Sequence, residues 1–183
     1  MRRLGVLFCA WASACGSPAV VPRLLPPIHH AASLPGACVQ PETDAHDRLG
    51  PDADGALRVE RTLDLDGDSN PDWLITHASF CGTGGCTWHV YASRGTCGHW
   101  VGEVFGMLPM ARSPVTHGLV ELEIATRDGC GGMARTESRL RFDGLKYVPF
   151  SARKCRCPEG DETSEDPERW CESWTPVVAS ATQ

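Results

Sequence analysis

The chain runs to 183 residues and carries 23 Asp and Glu against 17 Lys and Arg, a formal net charge of −6. An acidic surface repels phosphate, which excludes nucleic-acid binding by charge neutralisation and any electrostatic pull toward an anionic membrane. Ten cysteines in a chain of this length point to an oxidising compartment.

Met1, Arg2 and Arg3 precede an apolar run from Leu4 to Ala12, followed by Ala12-Ser13-Ala14 and then Cys15. A charged start, a short apolar stretch and a small-residue cut describe an export signal over residues 1–14. A Cys directly after such a cut resembles the lipobox of bacterial lipoproteins, although Ala12 stands where Leu is usual. That resemblance implies lipidation at Cys15 and a membrane or outer-membrane anchor. The alternative is an ordinary secretory signal and a periplasmic or secreted protein. Beyond this start no apolar run reaches the length of a membrane-spanning helix.

Residues 15–54 contain seven of the fourteen prolines without hydrophobic periodicity. They read as a disordered linker, tied down only at Cys38. From 55 to 157 the pattern turns to period two, the mark of half-buried strands. Leu57, Val59 and Arg61 alternate with Arg58, Glu60 and Thr62. Further strands are expected from Trp73 to Ser79, Thr87 to Ser93 and His99 to Phe105. Leu119 to Ala125 points Val120, Leu122 and Ile124 one way and Glu121 and Glu123 the other. Arg135 to Phe142 and Leu145 to Phe150 flank Asp143-Gly144, a strong hairpin signal. The expected fold is all-β, one antiparallel sandwich or barrel-like domain stapled by disulfides. The acidic tail, 158–183, holds Asp166-Pro167, a helix-start signal that would put Trp170 and Trp174 on one face of a short helix.

Between the first two strands Asp64 to Asp72 reads D-L-D-G-D-S-N-P-D. Closely spaced carboxylates repel one another, and a hard cation with oxygen ligands removes that repulsion. An EF-hand needs Gly at position 6 and Glu at position 12, where this chain has Ser69 and Ile75. With Gly67 at position 4, Asp72 at position 9 and Trp73-Leu74-Ile75 following, the segment resembles the FG-GAP or VCBS-type calcium loop. The resemblance implies calcium held by side-chain oxygens of Asp64, Asp66, Asp68 and Asp72 and the carbonyl of Asn70. It covers this loop and its flanking strands alone. The family's usual Gly at position 6 is Ser69 here. No second copy occurs, which excludes a propeller.

Eight cysteines follow Cys15: Cys38, Cys81, Cys86, Cys97, Cys130, Cys155, Cys157 and Cys171. Cys81 and Cys86 bracket a Gly-rich turn that brings them face to face. Cys97 with Cys130 is the expected link between core hairpins. Cys38 and Cys171 would then take Cys155 and Cys157 in some order. Zinc on Cys81, Cys86, His89, Cys97 and His99 is the rival reading, at a spacing that fits no standard finger.

No nucleophile elbow, zinc-protease helix or phosphate loop occurs. Cys97 with His99 as nucleophile and base, and His77 with His89 on neighbouring strands, are the remaining catalytic pairs. The expectation is therefore an exported calcium-binding module of the bacterial cell envelope, binding or structural, with a protein or glycan ligand. The alternatives are an envelope hydrolase with a His/Asp site and an envelope inhibitor presenting Phe80 to Thr87.

Overall fold

A computed structural model describes residues 34–51, 53, 55–130, 134–157 and 167–178. The expected signal over 1–14, the lipidation at Cys15 and the cap at Asp166 lie outside these residues. The all-β expectation holds: two antiparallel sheets pack face to face, with one short α-helix.

The first sheet is built on β4 (Gly85–Arg94). β5 (Cys97–Gly106) runs along the whole of one β4 edge. β2 (Trp73–Thr76) and the two-residue β3 (Cys81–Gly82) share the other edge, and β1 (Arg58–Glu60) pairs outside β2. The second sheet runs β6 (Met110–Thr116), β7 (Leu119–Gly129), β8 (Ala134–Phe142), β9 (Tyr147–Cys155) and β10 (Thr175–Pro176) in spatial order. Bonds from the Met107 N–H to the Ala125 carbonyl and from the Arg127 N–H to the Gly84 carbonyl tie the sheets along one side.

Period-two alternation places the core. Trp88, Val90 and Ala92 of β4 and Val101 and Val104 of β5 face Val120, Leu122 and Ile124 of β7, with Leu140, Phe142 and Tyr147 closing the layer. The two polar tips buried there are satisfied: the Trp88 indole donates to the Gly106 carbonyl at 3.2 Å and the Tyr147 hydroxyl to the Val120 carbonyl at 2.8 Å. A second cluster on the opposite face of the first sheet joins Ile75 and Tyr91 to Ala45.

Ala45 belongs to α1 (Pro41–Leu49), which corrects the reading of 15–54 as linker throughout. Pro41 sits in the first turn and Gly50 ends the helix at φ 75°. Ala45 and Leu49, four residues apart, are the buried stripe. With only that stripe the segment shows too little periodicity to be read as a helix.

The disulfides correct two of the expected pairings, Cys97 with Cys130 and Cys38 with Cys155 or Cys157. Cys81–Cys86 forms as expected, and Cys171 takes Cys155. Cys97, however, bonds Cys38, and Cys130 bonds Cys157. The reason lies in the sheets. Val39 and Gly98 exchange backbone bonds at 3.0 and 2.9 Å, which sets Cys38 beside Cys97 on the first sheet. Cys130 follows the end of β7, where the second sheet also brings the end of β9.

Three local expectations also change. β2 stops at Thr76, and a 3-10 turn over Ala78–Phe80 follows. β6 carries no alternation and was not expected as a strand. The C-terminal helix is a single 3-10 turn, Pro167–Trp170, so Trp170 and Trp174 share no helical face. Trp174 instead lies beneath the guanidinium groups of Arg139 and Arg153, at 3.9 and 4.8 Å.

Candidate metal centre

The acidic loop joins β1 to β2, and its neck is closed by the Asp72 N–H donating to the Leu63 carbonyl at 2.7 Å. Leu65 is fully buried, and its carbonyl accepts from the Val120 N–H at 2.7 Å, pinning the loop to β7. Inside this frame the aspartates bond backbone amides. Asp64 accepts from Gly67 at 2.8 Å and from Ser69 at 3.0 Å. Asp66 accepts from Asp68 at 3.2 Å, and Asp68 from Asn70 at 2.8 Å. Two residues turn the chain through the left-handed region, Gly67 at φ 73° and Ser69 at φ 68°. Ser69 therefore adopts the backbone that glycine normally supplies at position 6, at a small steric cost.

Asp72 is the anchor. It is 1% exposed, and its two carboxylate oxygens accept from the Leu65 and Ser93 amides at 2.5 Å each. The Ser93 hydroxyl donates to the Pro71 carbonyl at 2.8 Å, so β4 grips the loop at two adjacent points. Burial pushes the Asp72 carboxyl up to about 7, and the charges of Asp66 and Asp64 push the same way against the two amides. Burial likewise raises the Tyr147 hydroxyl, with the Asp72 and Asp66 charges adding to it.

Carboxylate oxygens of Asp64, Asp66 and Asp72 lie within 4.8 Å of one another. Two oxygens on opposite sides of a calcium ion at 2.3–2.6 Å stand at most about 5 Å apart, so this donor set has the right spread for one ion. The other two expected ligands are placed differently. Asp68 holds the Asn70 amide group at 3.1 Å, and Asn70 is exposed.

Arg94 is the residue that sequence reasoning missed. Its guanidinium pairs with Asp66 and stands 3.6 Å from Asp68. It reaches the loop because Ser93 is already fastened to Asp72 and Pro71. No motif marks an Arg twenty-two residues beyond the loop; only the β2–β4 pairing brings it back.

The rival sites do not assemble. Cys81, Cys86 and Cys97 are all oxidised, which removes both the zinc reading and the Cys97–His99 pair. His99 bonds the Pro35 carbonyl at 3.2 Å. His77 caps the 3-10 turn, with Nδ1 2.6 Å from the Ser79 hydroxyl. His89 is buried on the α1 side of β4, 3.9 Å from Glu103, and burial lowers its pKa. Among the described residues the other cluster tight enough to share an ion is Glu137 with Cys155 and Cys171, whose thiols are bonded to each other. Trp88 of the Gly-rich segment is a core residue. Comparison with protein-family models, with curated proteins and with solved structures finds no match to this chain.

Proposed function

We propose that the loop Asp64–Asp72 binds calcium and that the chain is an exported, lipid-anchored module of the bacterial cell envelope, acting in binding or architecture. The observation that carries this reading is the convergence of Asp64, Asp66 and Asp72 within 4.8 Å, on a loop fastened to both sheets. An ion there would order the loop and offset the repulsion among its carboxylates, with oxygen donors suited to a hard cation. Four disulfides support a compartment outside the cytosol. No helix among the described residues is long and apolar enough to cross a membrane; in this reading the lipid at Cys15 supplies the attachment.

Calcium titration by calorimetry tests the loop. Uptake of one ion is expected, with a dissociation constant of about 0.1–1 mM, the range of extracellular modules. Replacing Asp64 and Asp66 together by Asn should remove it. Silence of the native protein at millimolar calcium would end the reading. The anchor has a separate test: Cys15→Ser should release the protein from the membrane fraction, and an unchanged distribution would leave plain secretion.

Among the described residues a groove of about 540 Å³ beside α1, lined by Glu42, Thr43, His46 and Asp47, brings a His and carboxylates together as the hydrolase alternative would need. Those side chains stand on the exposed helix face and form no tight three-residue cluster, so the binding-module reading is preferred.

A further inference from the structure

The outer face of the second sheet is basic although the chain is acidic. Strand register turns Arg112 of β6, Arg127 of β7, Arg135, Arg139 and Arg141 of β8 and Arg153 of β9 to that side. Glu121, Glu123, Glu137 and the Glu168 that pairs with Arg153 stand among them. Six cations against four carboxylates leave a local charge of +2 where the whole chain carries −6. At physiological salt, charges more than about 8 Å apart are largely screened, so a ligand on this face meets the local excess.

The arginines are held in place before any ligand arrives. Glu123 and Glu137 are 7% and 6% exposed, and each divides its oxygens between two guanidinium groups. Glu123 accepts from Arg112 at 3.0 Å and from Arg139 at 3.3 Å; Glu137 accepts from Arg135 at 2.5 Å and from Arg153 at 2.6 Å. Each buried carboxylate thus orders two cations and neutralises one. Arg139 is 40% exposed and meets Glu123 through its Nε–H, which leaves the terminal N–H groups outside that pair. Arg141 is exposed, lies over the Phe150 ring at 5.5 Å and enters no ion pair among the described residues. Glu121, half-buried and opposite Arg112 in register, enters none either.

We propose that this face binds a carboxylate-bearing polysaccharide, with Arg139 and Arg141 holding sugar carboxylates and Glu121 accepting from sugar hydroxyls. A guanidinium edge matches a carboxylate with two parallel N–H bonds. Two residues apart on one strand, Arg139 and Arg141 stand about 7 Å apart and reach successive acidic groups of an extended polymer. Glu121 decides between polyanions: it repels the dense phosphates of a nucleic acid and the side chains of an acidic peptide, whereas a sugar acid brings hydroxyl donors to it. No residue of the acidic loop takes part, so the proposal stands if calcium binding fails.

The test is retention of the full chain on immobilised polygalacturonate, in EDTA so that calcium bridges neither partner. The native protein should be retained, and free polygalacturonate should release it where neutral dextran does not. Arg141→Gln, which breaks no ion pair within the chain, should weaken binding about fivefold, and Arg139→Gln about tenfold, the loss of a charge-assisted hydrogen bond. Arg58→Gln, on the first sheet, should bind as the native protein does. Passage of the native protein without retention, or equal losses in all three variants, would overturn the site. Release by poly-glutamate or a single-stranded oligonucleotide as readily as by polygalacturonate would overturn the assignment to a sugar acid.

Discussion

At the scale of single residues the acidic loop is a contest between two cations. Asp66 is buried and already paired with Arg94, whose guanidinium also stands 3.6 Å from Asp68. A calcium ion drawing on Asp66 must displace that guanidinium or share the carboxylate with it. Arg94→Gln should therefore tighten calcium binding by about tenfold, equivalent to about 1.4 kcal/mol of removed competition. In chelator the same variant should melt lower than the native protein, because Asp66 loses its partner in a buried setting. Calorimetry and melting in EDTA check the two halves, and affinity that falls in the variant would make Arg94 an aid to the ion instead. The spacing of Asp64, Asp66 and Asp72 made this cluster legible from the chain alone. Arg94 was not legible, since its place depends on strand pairing across the loop and not on any local pattern.

At the scale of elements, legibility followed periodicity. β4, β5, β7 and β8 alternate clearly and appear where the pattern puts them. β6 is an edge strand with Pro114 inside it and mostly exposed side chains, so it lacks the inward face that makes a strand readable. Glu123 and Glu137 do face away from the core, but Arg112 and Arg139 cover the first and Arg135 and Arg153 the second. Helix α1 escaped for a different reason: it is stabilised by what it covers more than by its own sequence. Beneath its face lies His89, with Asp44 and Arg48 of the helix and Glu103 of β5 as the charged groups acting on it. Burial is the largest influence and lowers the pKa below the ordinary 6.5; Arg48 acts in the same direction, while Glu103 and Asp44 oppose it. Above that ordinary value the ring is neutral in both the folded and unfolded chain and costs nothing. As pH falls through it, the unfolded chain takes up the proton first, and stability drops until the folded ring is protonated too. From pH 7 to pH 5 His89 should thus pull the melting temperature down while Asp72, whose carboxyl is raised to about 7 and takes up its proton in the folded chain first, pulls it up, and His89→Gln should remove the downward part. An unchanged slope in the variant would remove His89 from the pH dependence.

For the molecule as a whole, the sulfur framework and the ion act on different terms of stability. A disulfide chiefly restricts the unfolded chain, by an amount that grows with the loop it closes. On that account the 59-residue loop of Cys38–Cys97 is worth about 4 kcal/mol and the 5-residue loop of Cys81–Cys86 about 2 kcal/mol. The larger loop also fastens the segment before α1 to the first sheet, so its removal should loosen the helix as well. The ion stabilises the native state by mass action, on the order of 1 kcal/mol at millimolar calcium. Removing the Cys38–Cys97 pair by alanine should therefore cost about 2 kcal/mol more than removing Cys81–Cys86, read from urea midpoints at unchanged slope. EDTA should lower the melting temperature by a few degrees at most, while full reduction should abolish the transition. The ranking has a physical basis in where each restraint sits: three bridges tie the chain segments that flank the two sheets, whereas the ion orders one loop already pinned through Leu65 and Asp72. Unfolding by EDTA with all four bridges intact would reverse it, and would make the acidic loop the keystone of the two sheets.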